Sequence, residues 1–223
     1  MNIKSNHILI LLFSLWATIA AATHNRAGEI TYRQVADLTI EMTVTTYTKT
    51  SSSTADRDTL EIFWGDGTSG LVSRTEELFL PNDVKVNKYV QTHTYPGRST
   101  YTIFFEDPNR VANILNVSPP NSVEVPFFLS TTFTFLDPQF QGTNSSTVLL
   151  QPPLDIACVG QRFIHNPNAY DVDGDSLSYS LVTPLMSEDI PIDPYFLPNE
   201  ISPGANNIIS VSYTHLRAHE TRI

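Results

Sequence analysis

Cysteine is almost absent: the 223 residues hold a single one, Cys158. One thiol cannot build an intrachain disulfide framework, so small disulfide-stapled scaffolds are excluded. The thiol reads as a small buried hydrophobe, as half of a bridge whose partner lies further on, or, least well, as a nucleophile lacking a companion His or Asn motif. Charge is scarce too. Only 16% of the residues are charged, against a usual quarter, and 13 Lys and Arg face 23 Asp and Glu, a net charge of −10. Such a surface repels a phosphate backbone, which argues against nucleic acid as a partner and suits divalent cations. Helix formers are few, and no helical stretch separates the strand-like segments, which excludes a doubly wound α/β fold. After the first residues no apolar run approaches the ~20 residues of a membrane-spanning helix.

What is present is Thr, Ser, Val, Ile, Phe and Tyr, with 15 prolines and a hydrophobic share of 41%, enough for a proper core. That composition is all-β. The first residues add an address. Lys4 precedes an almost purely apolar run over residues 8–16, and Ala20-Ala21-Ala22 follows as an A-x-A cleavage site. Residues 1–22 are read as a secretory signal peptide. No Cys follows the apolar run, so a lipid anchor is not expected. The mature chain is expected to be secreted or on the outer cell surface, with no transmembrane segment after cleavage.

Period-two alternation marks the strands. Leu38, Ile40, Met42 and Val44 alternate with Thr39, Glu41, Thr43 and Thr45. Residues 49–58 are polar and form a loop. Leu60, Ile62 and Trp64 alternate next, and Gly65-Asp66-Gly67 breaks the strand in a turn. Val84, Val86, Lys88 and Val90 share one face, with Tyr89, Gln91 and His93 on the other. Pro96-Gly97 turns the chain, Tyr101, Ile103 and Phe105 alternate, and Asp107-Pro108-Asn109 ends that strand. Val123, Val125, Phe127, Leu129, Thr131, Phe133 and Phe135 make one long alternating face. About seven short strands at ~10-residue spacing fit a β-sandwich. Residues 137–146 are a polar link, and a second module opens near Thr147.

The stretch Leu60-Glu-Ile-Phe-Trp-Gly-Asp-Gly-Thr68, followed by His93-Thr-Tyr-Pro-Gly97 and Tyr101-Thr-Ile103, resembles the PKD domain, an immunoglobulin-like β-sandwich of extracellular proteins. The gap between the two halves is long, and two residues are inserted between Gly97 and Tyr101, so the resemblance is to a PKD-like domain over residues 23–138. Trp64 is expected to plug the core and Asp66 to accept hydrogen bonds from turn amides. Asp66 and His93 have two readings, an acid–base pair or turn and core structure, and structure is favoured because such fold motifs carry packing rather than chemistry.

Val148-Leu-Leu-Gln-Pro-Pro153, Val159-Gly-Gln-Arg-Phe163 and Asp171-Val-Asp-Gly-Asp-Ser-Leu-Ser-Tyr-Ser-Leu181 resemble the cadherin-like repeats of bacterial surface proteins. Residues 139–210 are read as such a β module, truncated. Three carboxylates at alternate positions around a glycine turn suit one hard cation, and Ca²⁺ takes 6–8 oxygen ligands. Asp171, Asp173 and Asp175 are the candidate calcium ligands, with Asp155 an outlying one; the other reading is an Asp-rich turn without metal. An EF-hand is excluded, since Val182 stands where the twelfth-position Glu belongs and the next residues alternate as a strand.

Across nearly the whole mature chain the order is similar to the N-terminal region of gliding-motility-associated surface proteins of Bacteroidota. Residues 23–32, 126–128 and 165–167 contribute to that likeness. The last stretch differs in style. Residues 211–221 resemble the translation of a sequencing-library adapter, so residues 211–223 are set aside as an adapter-derived tail and the native chain is expected to continue. On a helix, His215 and His219 would have the spacing of a zinc pair; the adapter likeness displaces that reading.

No G-x-S-x-G, H-E-x-x-H or phosphate loop is present. The adjacent acids Glu76-Glu77 and Glu106-Asp107 cannot be placed across a cleft from sequence and read as solvated faces. The sequence therefore points to a non-catalytic extracellular surface or adhesion module whose partner is an extracellular protein or glycan. The alternative is an ancillary polysaccharide-binding or spacer region of a secreted hydrolase.

Overall fold

Alternating β-branched and aromatic residues cannot bury one face without a second layer to cover it, and the chain answers with a sheet folded over on itself. The computed structural model describes residues 24–137, 139, 142–153, 167–197 and 216–220. The expected signal peptide, Asp155, Cys158 and residues 159–166 lie outside the described residues, as does most of the expected tail.

The first seven strands are β1 (Asn25–Ala36), β2 (Thr39–Lys49), β3 (Thr59–Phe63), β4 (Ser69–Leu80), β5 (Val84–Thr94), β6 (Thr100–Asp107) and β7 (Phe127–Thr134). They are hydrogen-bonded in the order β1-β2-β5-β4-β3-β6-β7, antiparallel throughout. The fold-over occurs in β4. Its first half pairs with β3, Ser69 opposite Phe63 and Ser73 opposite Thr59. Its second half pairs with β5, Arg74 opposite Tyr89 and Leu80 opposite Val84, with an irregularity between Arg74 and Glu76. A bulge that bends a strand from one sheet into the next is how sandwich corners are made. The described chain is thus all-β and of sandwich type.

The core fills from both layers. Ile40, Met42 and Val44 of β2 are fully buried, with Leu60, Ile62 and Trp64 opposite, Tyr101, Ile103 and Phe105 from β6, and Phe127, Leu129 and Phe133 from β7. At the seam where β3 meets β6, Phe63 lies opposite Phe104. Their outward-facing rings stack at 4.7 Å and 9°, and Phe104 reaches Phe128 at 5.5 Å. Cross-strand aromatic pairs of this kind hold a ladder together on the side away from the core.

Three features go beyond a simple alternation. On β5 the two faces are as the alternation predicts, but the interior takes Asn87 and Tyr89 rather than the valines. Val84 and Val86 instead join Ala27, Tyr47 and Leu80 in a small apolar cluster on the outer face. The long face from Val123 to Phe135 is not one strand. A 3-10 turn at Ser122–Glu124 precedes Pro126, and β7 starts only at Phe127. Proline lacks the amide a central ladder needs, so the pairing begins after it. Finally, β4 has no alternating apolar pattern, because Leu71 (76% exposed), Leu78 and Phe79 face solvent.

The later strands are short ribbons. β8 (Val148–Leu149) pairs with β9 (Ala169–Tyr170), β10 (Leu177–Leu181) with β13 (Leu216–Glu220), and β11 (Leu185–Ser187) with β12 (Ile190–Pro191). The expected strand through Leu177, Tyr179 and Leu181 is thus present. Residues 216–220 are extended, Ala218 opposite Tyr179, which is not the helix that an i, i+4 histidine pair needs. The ribbons lean on the sandwich. Ile192 joins Val117 and Val125 in a third buried cluster, flanked by Ile114, Met186 and Tyr195. Main-chain bonds reinforce it: Ser118 N donates to Pro194 O at 2.9 Å, and Phe196 N to Asn116 O at 3.1 Å.

Candidate functional site

The G-D-G turn is built as a brace. Gly65 and Gly67 have φ of +81° and +86°, a region that costs a side chain dearly. At Gly65 a Cβ would also lie 2.4 Å from Thr102 O. The turn so formed presents Asp66 inward. Its Oδ1 accepts from the Thr68 amide at 3.0 Å and the Thr68 hydroxyl at 2.6 Å, and its Oδ2 bonds His93 Nε2 at 2.8 Å. Burial raises the Asp66 carboxyl, but the bonds from Thr68 and His93 outweigh it and hold the group below its ordinary range. His93 stacks on Trp64 at 4.4 Å and 2°, and Tyr95 donates its hydroxyl to Trp64 O at 3.0 Å. Both polar ends of this pair are engaged in closing the turn onto the core, which is the structural role the sequence favours for Asp66 and His93.

The aspartate loop follows β9. Asp171 is 6% exposed, and its Oδ1 accepts from the amides of Asp173 at 2.9 Å and Asp175 at 3.0 Å. Gly174, at φ +82°, lets the chain turn back tightly enough for this. Asp173 Oδ2 accepts from the Ser145 amide at 2.6 Å. The next residue, Ser146, clamps the edge of β1: Tyr32 N donates to its Oγ at 2.8 Å and its own amide donates to Tyr32 O at 2.9 Å. The loop is therefore tied to the first strand of the sandwich through two adjacent serines. Asp171 Oδ2 and Thr147 Oγ1 are buried without a hydrogen-bond partner. Extending the β8–β9 register, in which Val148 faces Tyr170, sets Thr147 opposite Asp171, so both oxygens sit on one face. Among the described residues no group of three or more His, Cys, Asp or Glu side chains is gathered to hold one metal ion. As placed, the Asp171 carboxylate accepts two amides of its own loop and the Asp173 carboxylate accepts the Ser145 amide.

The adjacent acids separate, as strand neighbours must. Glu76 pairs with Lys88 at 3.0 Å on the outer face, while Glu77 approaches Arg74 at 3.6 Å. Glu106 is exposed, whereas Asp107 is buried, bonding Arg57 Nε at 2.9 Å and the Asn109 amide at 2.7 Å.

The densest polar constellation was not expected from the pattern. Asp56 Oδ1 receives Lys85 Nζ at 2.5 Å and Arg74 Nη1 at 2.9 Å, and His24 Nε2 stands 3.7 Å away. Arg74 also bonds Asn87 Oδ1 at 2.9 Å and reaches Asp58. Burial pushes the Asp56 carboxyl up, but Arg74 and Lys85 more than reverse it. Tyr89 adds its hydroxyl to Arg57 O at 2.6 Å, and burial raises that phenol to about 12. Asp56 and Arg57 sit in what reads as a solvated loop, and only Lys85 and Asn87, in phase with Tyr89, hint that polar side chains turn inward here. Arg110, 1% exposed, is a further buried cation, held by the carbonyls of Val125 and Pro126 at 3.2 and 2.7 Å; burial lowers its guanidinium to about 10. No protein-family model matches the chain, and neither a curated protein nor a solved structure matches it significantly.

Proposed function

We propose that the chain is a non-catalytic extracellular surface or adhesion module, with calcium at the aspartate loop stiffening the junction between the sandwich and the ribbons. One observation carries this reading: the loop that holds Asp171, Asp173 and Asp175 also grips Ser145, next to the serine that clamps β1. A cation there would act on the geometry between the two regions. The orphaned Asp171 Oδ2, with Thr147 Oγ1 opposite, is the atom that most needs a cation or water. Asp173 and Asp175 would complete the acidic ligands, main-chain carbonyls and water the rest, and calcium would supply a hard, doubly charged centre for them. The sandwich resembles a PKD-like domain and the loop a cadherin-like repeat, families of extracellular surfaces. Its titratable side chains support the same reading, since Asp66, His93, Asp56, Lys85 and Asp107 are engaged in fold-bearing bonds.

Thermal melting with calcium and with chelator tests the loop. At about 100 times its dissociation constant the ion stabilises by roughly 2.7 kcal/mol, a rise in Tm of about 5–10 °C for a unit of this size. Asp173→Ala should abolish that rise, and identical curves with calcium and chelator in the parent chain would sink the metal reading. Beads coated with the chain and scored for retention on glycan and protein surfaces test adhesion; no retention, with or without calcium, would sink the surface-binding reading.

A further inference from the structure

We infer that His24 is a proton-operated latch on the start of the first strand: the neutral ring keeps β1 fastened, and the protonated ring releases it. The residue is 2% exposed. Its main chain and that of Asn25 do the fastening. His24 O accepts from the Lys49 amide at 2.9 Å, Asn25 N donates to Asn109 O at 2.8 Å, and Asn25 O accepts from the Val111 amide at 2.9 Å. These bonds tie the start of β1 to the end of β2 and to the stretch that follows β6.

The two ring nitrogens have unequal surroundings. Nε2 lies 3.7 Å from Asp56 Oδ1, beyond hydrogen-bond range but within reach of its charge. Nδ1 is buried with no hydrogen-bond partner. A neutral imidazole can leave Nδ1 as an acceptor, whereas an imidazolium carries N–H on both nitrogens and leaves one of them buried and unsatisfied. The charged groups facing the ring come from every side: Asp56 and Arg57 from the loop after β2, Lys85 from β5 and Asp107 from β6, with Arg74 of β4 bound to Asp56. Asp56 and Asp107 favour a proton on the ring; Lys85 and Arg57 oppose it. Asp56 is the strongest of these charges, but it is bonded to Lys85 and Arg74 and its pull on the ring does not offset burial.

Burial is the largest influence on the ring and sets its pKa below the ordinary 6.5. A base whose folded pKa is depressed binds its proton more readily when released. The stability it supports is thus present above about 6.5 and is lost as pH falls below that value. The loss acts where the ring sits, so opening begins at the amides of Asn25, Lys49 and Val111 and not in the central core.

The test is amide protection by hydrogen exchange on the full chain, expressed relative to unstructured rates, from about pH 7.5 to about pH 5, with the His24 ring followed by NMR in the same samples. Protection at Asn25, Lys49 and Val111 should fall from about pH 6.5 and level off once the folded ring has taken its proton, while Ile62 and Ile103 keep theirs. His24→Gln should remove the fall. Lys85→Met takes away an opposing charge, so the ring should titrate at a higher pH, nearer its released value, and the loss of protection should be smaller; this arm stands even where the glutamine variant does not fold. Unchanged protection across the range, a fall that persists in His24→Gln, or a ring midpoint at or above the ordinary value would overturn the latch.

Discussion

Removing one carboxylate from the ionic cluster should cost more than removing its closest cation. Asp56 sits between Lys85, whose side chain is 7% exposed, and Arg74, 14% exposed. Asp56→Ala takes a partner from both cations. Arg74 keeps Asn87 at 2.9 Å and Asp58, but Lys85 is left with Glu77 at 3.9 Å. Breaking a buried pair from one side costs about 3–5 kcal/mol, and because only Lys85 loses its close partner the lower end applies, ~3 kcal/mol. For a unit of this size that is a fall in Tm of about 6–12 °C. Lys85→Met behaves differently. It removes the cation and its desolvation together, leaves an apolar stem of similar volume, and Asp56 keeps Arg74 at 2.9 Å. The expected cost is ~1 kcal/mol or less. With Lys85 already replaced, Asp56→Ala should lose roughly 2 kcal/mol less than it does alone, the coupling expected of side chains in contact.

Calorimetric melting and urea unfolding at neutral pH read all four corners of this cycle. Unfolding midpoints should shift without a change in urea slope. The coupling should survive ~1 M salt, since burial shields the pair from screening. Asp56→Ala within about 0.5 kcal/mol of the parent, or Lys85→Met as damaging as Asp56→Ala, would show that the cluster is a solvated surface pair and that the reasoning is wrong.

Glu29 offers a test of opposite sign. Burial pushes its carboxyl up from 4.5 to about 7. A raised acid keeps its proton in the folded chain where the unfolded chain has lost it, so it erodes stability as pH climbs from about 4.5 to about 7, with no further loss above. Glu29→Gln should therefore add about 2–3 kcal/mol near pH 8 and nothing near pH 4; equal gains at both pH values would refute the assignment. Ile192→Ala should cost about 2–4 kcal/mol by opening a cavity against Val117 and Val125. If the ribbons fold with the sandwich, that loss appears as one shifted transition. A separate early transition with the main one unmoved would show that residues 184–197 fold independently.

The layered architecture was legible wherever one strand face is apolar and the other polar. Ile40, Met42 and Val44, or Tyr101, Ile103 and Phe105, announce a buried face, and they are buried. The G-D-G turn was legible because only glycine takes those backbone angles easily, and Asp66 accepts the Thr68 amide as a turn aspartate should. β4 escaped because a strand that bends between sheets exposes Leu71, Leu78 and Phe79 and keeps no period of two. The ionic cluster escaped for a related reason. Its members come from a loop, from β4, from β5 and from His24 just ahead of β1, and no local window holds both the acids and the cations that meet there. The aspartate loop shows the converse. Its spacing was plain, but spacing does not reveal that Asp173 is turned toward the Ser145 amide.

The interior of β5 explains why the two ends of the sandwich should answer acid differently. Along one face it runs from Lys85 and Asn87 through Tyr89 to His93, from ions to aromatic rings. At the ring end Tyr95 meets Tyr101 at 4.2 Å and Phe133 at 5.5 Å, and the acid among them, Asp66, sits below its ordinary range. A depressed carboxylate supports stability above its unfolded value of 3.8 and surrenders it only as pH falls through the lower, folded one. At the ionic end, His24 begins to lose its contribution below 6.5. The loss at His24 begins at the higher pH. Acid therefore begins to loosen the sandwich at the ionic end, at the fastening of β1, before the Asp66 carboxylate at the stacked end takes up its proton.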